Sequence, residues 1–309
     1  MPARLIANDL GVLIGHWSDP VAATGCTVVL CPRGAVGGIA IRGGAPCSRE
    51  TEILAPMRGV APRLVHGAVL AGGSVFGLAA TDGVVRWLSE RGIGLQTGHA
   101  CIPIVPALGL YDLGIGDPER RPDAAAGCAA CAAAGASAAE GRVGAGTGAT
   151  VGKAAGMEHC SRGGLGIARQ AVPGGGTVEA IVAVNAFGEV VDPVRGRILA
   201  GVRAARGRGF EPIDRVLARH GTTPFGNTTI GVVVTDATLT REDATDLAGQ
   251  AHDGLARVIR PVHTRVDGDA LIVLATGRRR ARASMIDLIA LQHAAVAAVS
   301  AAVLRAVTV

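Results

Sequence analysis

The segment Gly226-Asn227-Thr228-Thr229-Ile230-Gly231-Val232-Val233-Val234-Thr235 puts a hydroxyl residue at the first position of an apolar, β-branched run. A Gly-Asn turn there delivers Thr228 to the start of a buried strand, where an N-terminal nucleophile would be presented. The plain reading is a polar strand edge. The chemical reading gains support from Asp267-Gly268-Asp269, two carboxylates two residues apart that lead into the run Leu271 to Thr276. In an extended segment such a pair shares one face. A threonine hydroxyl is a poor nucleophile until a base takes its proton. An α-amine of pKa about 7.7 to 8 is neutral in roughly a tenth to a sixth of molecules at pH 7, a lysine of pKa about 10.4 in only about 0.04%. A freed amino group on Thr228 itself is therefore the better base. Exposing it requires cutting the Asn227–Thr228 bond, most simply by attack of Thr228 Oγ on its own preceding carbonyl.

Other chemistry-bearing residues fit known patterns less well. Gly144-Ala145-Gly146-Thr147-Gly148-Ala149 matches a dinucleotide fingerprint in letters, but a helical stretch rather than a strand precedes it. Gly152-Lys153 lacks the Ser/Thr and the first glycine of a phosphate loop. Lys153 is the only lysine among 30 basic residues; it reads either as a position reserved for a slim ammonium or as a solvated lysine in a glycine loop. Ser74 narrowly misses a serine elbow because Phe76 stands where its second glycine belongs, and it reads better as a helix cap. His252, on a helix, and His263, in a loop, read as packing or surface groups. Cys128 and Cys131 form one CxxC with no second pair to complete a metal site, and the seven cysteines read as structural thiols. No cofactor and no metal is expected.

With 309 residues, 49% apolar and 18% charged, the chain is too apolar for disorder. Aromatics make up only 2% while glycine numbers 46, so the core must be built of small aliphatics in closely approaching layers. The formal charge is +5, yet the arginines are scattered and stacking aromatics are nearly absent, which argues against nucleic acid. The dense run Arg278-Arg279-Arg280-Ala281-Arg282 reads as a solvated or subunit-facing surface. No run reaches the roughly 18 apolar residues of a membrane span, and Asn8 and Asp9 interrupt any leader-like start, so the expectation is a cytoplasmic protein without a membrane partner.

These residues need a scaffold. Thr27 to Cys31 and Val36 to Arg42, separated by Pro32-Arg33-Gly34, predict a hairpin. Ser74 to Glu90 predicts a helix capped by Ser74, and Asp123 to Glu140 an alanine-rich helix. Val178 to Val184 predicts a buried strand ending at Asn185, and Val194 to Phe210, with five arginines, a solvated connector. Thr228 to Thr235 predicts the strongest strand. Thr240 opens a helix to about Ile259 with Asp243 as its capping partner. Ala270 to Ala275 predicts a strand and Ala281 to Val303 a final long helix. Together they make a single α+β domain with helical layers over stacked sheets.

Four segments, GNTTIGVVVTDA, HDGLARVIRPVHTRVDGDALIVLATG, RGGAPCSRETEIL and HGAVLAGGSVFGLAATDGV, make the chain resemble the L-aminopeptidase/D-esterase family, which includes the nylon-oligomer (6-aminohexanoate oligomer) hydrolases. The likeness runs from about Gly25 to Gly277. It implies an N-terminal-nucleophile-like αββα sandwich, self-cleavage into chains 1–227 and 228–309 that stay associated, and a homo-oligomer, a dimer or tetramer of processed units. It makes Thr228 the nucleophile, Asn227 the residue before the cut, and Asp267 and Asp269 the pair that orients and polarises it. Asn185 would stabilise the oxyanion, Lys153 would lie in the substrate pocket, and Tyr111 would be a pocket aromatic. A threonine with two aspartates resembles the nylon-oligomer branch more closely than the serine aminopeptidases. The expected function is hydrolysis of small peptides or aminohexanoate oligomers. The alternatives are an aminopeptidase/esterase on amino-acid amides, a serine hydrolase using Ser74, and a non-catalytic ligand-binding homologue.

Overall fold

The computed structural model describes residues 7–56, 65–204, 209–219, 226–279 and 284–309. Nine strands carry the scaffold: β1 (Leu13–Asp19), β2 (Thr24–Ile41), β3 (Ser48–Arg49), β4 (Val65–Ala71), β5 (Ala107–Gly109), β6 (Gly164–Ala171), β7 (Thr177–Asn185), β8 (Thr228–Thr235) and β9 (Ala270–Ala275). They follow the order β6-β7-β8-β9-β2-β4-β5-β3, with β1 also paired to β2. The main helices are α1 (Ala80–Ser89), α2 (Ala124–Ala132), α3 (Arg241–Ala256) and α4 (Met285–Thr308).

Side-chain alternation along these strands produces four layers. Ile181, Ile230, Val232, Ile272 and Leu274 meet Val29, Cys31, Ala68, Leu70 and Leu108 in a central core between two sheet halves. The opposite faces, through Val182, Val233 and Val273, pack under α3 and α4. On the other side Val28, Leu30 and Val69 pack under α1 and α2. Period-two alternation with both faces buried is what a sheet covered on both sides requires. Small residues make the layers fit. A Cβ on Gly166 would lie 1.9 Å from Ala302 O of α4, and one on Gly38 would lie 2.3 Å from Ala244 C of α3.

The predicted hairpin is instead the single strand β2. Its first half pairs with β1 and β4 and its last residues, Val36 to Ile41, with β9. Pro32-Arg33-Gly34 forms a bulge that shifts the register between Leu30 and Ala35, with Gly34 at φ 77°, so β2 passes from one sheet half to the other. The helix predicted from Ser74 is broken into a turn, Ser74–Gly77, and α1. Gly73, in the left-handed region, holds the cap position, and Ser74 itself has φ 55°. The alanine-rich helix stops at Ala132 because Gly135 leaves to exchange hydrogen bonds with Ile14 at the end of the sheet. Helix α3 ends at Ala256, short of Ile259, and Ile259 pairs instead with Val190. Its predicted start is confirmed by a capping box between Thr240 and Asp243. The arginine-rich connector contains two short strands, Ile198–Ala200 and Val202–Arg203, with Ala200 and Val202 buried; Arg206 and Arg208 lie outside the described residues. Arg280, Ala281 and Arg282 also lie outside them. Helix α4 is long and apolar enough to cross a bilayer. Its buried face, from Leu291 to Ala306, belongs to the core under the sheet.

Candidate active site

Strand register brings the candidate residues together. β8 lies between antiparallel β7, where Asn185 is opposite Thr228, and parallel β9, where Ile230 is opposite Ala270. One residue earlier, Asn227 forms a parallel bridge with Asp267. Thr228 therefore opens its strand with Asn185 on one side and the aspartate pair on the other, and it is buried. Its hydroxyl donates to the carbonyl oxygen of Asn227 in a short contact. That same carbonyl accepts the Gly268 N–H at 2.9 Å. Gly268 also leaves room for the hydroxyl, because a Cβ there would lie 2.9 Å from Thr228 Oγ1 and 2.6 Å from Ala45 O.

Both carboxylates are buried and engaged by backbone. Asp269 accepts Thr229 N–H at 2.7 Å, His263 N–H at 2.9 Å and His263 Nδ1 at 2.8 Å. Asp267 accepts Phe187 N–H at 3.1 Å, Thr264 N–H at 3.2 Å, and the Thr264 hydroxyl. Burial first, and then the neighbouring charge of Asp269, pushes Asp267 up to about 6. Among the described residues neither carboxylate hydrogen-bonds the Thr228 hydroxyl; they tie the end of β7 and the start of β8 to the loop that leads into β9. The outer side of this loop is clamped by Arg42 to Ala45, whose N–H groups bind Asp269 O (Arg42, 2.9 Å; Gly43, 3.2 Å), Thr264 O (Gly44, 3.1 Å) and Asp267 O (Ala45, 2.8 Å).

Lys153 is fully buried, not a solvated loop lysine. Its Nζ donates to Asn185 O and Asn185 Oδ1, both at 2.8 Å, and to Gly226 O at 3.1 Å. Burial pushes it down to about 7, against the pull of Cys160, Asp267 and Asp112. Asn185 Oδ1 also accepts Thr150 N–H at 2.9 Å, which orients the amide so that Nδ2 donates to Tyr111 O at 2.9 Å and to Gly226 O at 3.3 Å. Tyr111 lies against this chain segment: a Cβ on Gly226, at φ 103°, would be 2.2 Å from its Cδ1. The expected oxyanion donor Asn185 thus holds the carbonyl one peptide before the Asn227–Thr228 bond, and the donor on the Asn227 carbonyl itself is Gly268 N–H.

Several participants escaped the sequence reading. Gly268, Thr264 and Thr150 act through turn and backbone geometry. His263, read as a packing or surface group, is joined to Asp269, and its ring meets that of His252 edge-on at 4.8 Å. The spacing Thr264-x-x-Asp267 is the local signal that could have revealed the turn. Ser74 has no acid or histidine on its hydroxyl among the described residues. Cys128 and Cys131 sit on α2, and all seven thiols are free. Among the described residues no group of three or more His, Cys, Asp or Glu is placed to hold a metal ion.

Residues 6–309 match the model of peptidase family S58. An uncharacterized aminopeptidase of Mycobacterium tuberculosis (strain ATCC 25618 / H37Rv) is 45% identical over 284 residues, 86% of this chain and 80% of that one. The chain belongs to peptidase family S58. It is accordingly a hydrolase of amide bonds. A 6-aminohexanoate-oligomer endohydrolase of Kocuria sp. (strain KY2) is 30% identical over 273 residues, 86% of this chain and 73% of the other. In fold, the S58 chain is similar to the L-aminopeptidase D-Ala-esterase/amidase of Ochrobactrum anthropi, described as a new variant among the Ntn hydrolase fold. The TM-score is 0.72 at 19% identity, covering 99% of this chain and 87% of that one.

Proposed function

We propose that the chain is a self-cleaving amide hydrolase with Thr228 as its N-terminal nucleophile. The observation that carries this reading is the Thr228 hydroxyl packed against the Asn227 carbonyl while Gly268 N–H binds that carbonyl oxygen. Thr228 Oγ adds to the Asn227 carbonyl carbon, and Gly268 N–H receives the negative charge that develops on oxygen. The C–N bond then breaks, the hydroxyl proton ends on the Thr228 nitrogen, and an ester joins Asn227 to Oγ. Water hydrolyses the ester, leaving a carboxylate on Asn227 and a free α-amine on Thr228. In turnover that amine takes the Oγ proton, Oγ attacks the substrate carbonyl, the leaving amine takes the proton, and water releases the acyl group.

The substrates of this reading are small peptides or aminohexanoate-type oligoamides. A second reading, an aminopeptidase or esterase on N-terminal amino-acid amides, draws on the higher identity to the mycobacterial aminopeptidase (45%) than to the oligomer endohydrolase (30%). We place the processed units in a cytoplasmic dimer or tetramer, each unit a single domain of chains 1–227 and 228–309. Denaturing gels and mass spectrometry of purified protein test the cleavage: fragments of 227 and 82 residues are expected, with none from Thr228→Ala. An active preparation that stays one chain would overturn the mechanism. An amide, ester and oligoamide panel distinguishes the substrate classes.

A further inference from the structure

One side chain beside the aspartate pair takes no part in the chemistry of self-cleavage. His263, its side chain 18% exposed, opens the loop that returns to Asp269, and it binds the far end of that loop twice. Its backbone N–H and its Nδ1 both reach Asp269 Oδ2, at 2.9 and 2.8 Å. A carboxylate oxygen only accepts here, so Nδ1 carries the proton. Thr264 repeats the closure one step inside, with its N–H and its hydroxyl on Asp267 Oδ2. From the other side His252 of α3 meets the His263 ring edge-on. Its Nε2 lies 3.1 Å from Ala40 O, and burial pushes His252 down to about 4, so it acts as a neutral wedge. The backbone of His263 is left-handed, with φ 57°, a conformation that His and Asn adopt more readily than most side chains.

Asp269 passes this hold on to the nucleophile. Its other oxygen, Oδ1, accepts Thr229 N–H at 2.7 Å, which fixes the peptide on the C-terminal side of Thr228. On the N-terminal side the uncut chain has two further holds, Gly268 N–H on Asn227 O at 2.9 Å and the bridge between Asn227 and Asp267. Both belong to the segment that cleavage would free. After the cut, the pairing of β8 with its neighbours and the Asp269 bond to Thr229 are what keep Thr228 in place.

Resting on the proposed hydrolase reading, we infer that His263 is a positioning residue of the processed enzyme: its Nδ1–H orients Asp269, Asp269 orients the Thr228–Thr229 peptide, and this hold matters more for turnover than for self-cleavage.

Two variants separate the ring from the backbone. His263→Gly keeps the left-handed backbone and its N–H while removing the ring, and His263→Asn tolerates the same backbone and returns an amide N–H close to where Nδ1 stands. Each is compared with wild type in thermal melts, in a denaturing-gel time course of processing, and in steady-state hydrolysis of alanine p-nitroanilide and the 6-aminohexanoate dimer. In processed His263→Gly, kcat should fall by about 10- to 100-fold with KM within about twofold, processing should slow by less than about threefold, and His263→Asn should recover kcat to within about threefold of wild type. Equal losses in turnover and processing, a folded His263→Asn as slow as His263→Gly, or wild-type kcat in a folded His263→Gly each overturns the inference and leaves the hydrolase reading standing, since wild type still cuts itself and turns over. Wild type that neither cuts itself nor hydrolyses either probe sinks that reading and the inference with it. The bond itself is read by NMR of Thr228→Ala protein carrying isotope-labelled histidine: the His263 Nδ1 proton, assigned by its loss in the added His263→Asn change, should lie downfield and exchange slowly. A ring proton in free exchange with solvent overturns the inference even where His263→Gly does not fold.

Discussion

Replacing Gly268 by alanine tests whether the position of one hydroxyl controls the chemistry. The added Cβ would sit 2.9 Å from Thr228 Oγ1 and 2.6 Å from Ala45 O. Ordinary contacts begin near 3.4 Å, so the overlaps are about 0.5 and 0.8 Å. Ala45 cannot retreat cheaply, because its N–H binds Asp267 O at 2.8 Å and the adjoining Gly43 and Gly44 lie against the same loop. The hydroxyl is the softer partner and should rotate away. Overpacking of this kind costs about 1–3 kcal/mol of stability, and displacing a reacting atom by about 1 Å costs on the order of 10² in rate. Alanine keeps the backbone N–H on the Asn227 carbonyl, so the loss reports nucleophile placement and not removal of the donor. A denaturing-gel time course of freshly purified Gly268→Ala, with a thermal melt to show that it folds, should give processing slowed by about two orders of magnitude. A folded variant that processes within a few-fold of wild type would refute the reasoning.

Thr228→Ala should remain one chain and lose all hydrolysis while melting close to wild type, as gel and calorimetry would show. Burial and the charge of Asp269 raise the folded Asp267 carboxyl to about 6 from 3.8, so the folded protein binds more protons between these values and stability falls as pH rises through them. Asp267→Asn should lack that fall in urea titrations at pH 4.5 and 7. Lys153, near 7 when folded against 10.5, makes stability rise with pH between those values; Lys153→Met should remove the rise and slow processing at least tenfold, read by denaturation at pH 7 and 9.5 and by gel. Thr240→Ala should cost about 1 kcal/mol through the lost capping box and leave processing unchanged.

Which parts of this could be read in the sequence follows from how local their causes are. Strands β7, β8 and β9 declared themselves because both faces are buried and their β-branched runs end at polar residues, Asn185 and Asp269, that the register then gathers at one sheet end. The capping box at Thr240 and Asp243 is a four-residue signal and was equally legible. Pro32-Arg33-Gly34 was misread because a turn and a bulge use the same residues, and only the pairing of β2 with β4 and β9 separates them. Ser74 was misread as a cap because Gly73 and Ser74 take a left-handed step that no helical periodicity reports. His263 was hidden because its meaning depends on Asp269 lying within reach after the loop folds back, and the Arg42 to Ala45 clamp works through main-chain groups, with Gly43 and Gly44 too close to the loop for a Cβ.

Lys153 links the uncut chain to the state that would act on substrate. An ammonium has three donors, and three acceptors meet it: Asn185 O, Asn185 Oδ1 and Gly226 O. Burial favours the neutral form while Cys160, Asp267 and Asp112 favour the charged one, and a group near 7 is the outcome of that opposition. On the proposed mechanism, cutting after Asn227 lets Gly226 leave, which removes one acceptor from Lys153 and one from Asn185 together. Two donors that had been satisfied by the chain would then point into a buried, vacated space, where unmatched donors are costly. A substrate carbonyl relieves that cost, so the segment before Thr228 serves first as the substrate of its own removal and then, by its departure, creates the site that binds the next acyl group.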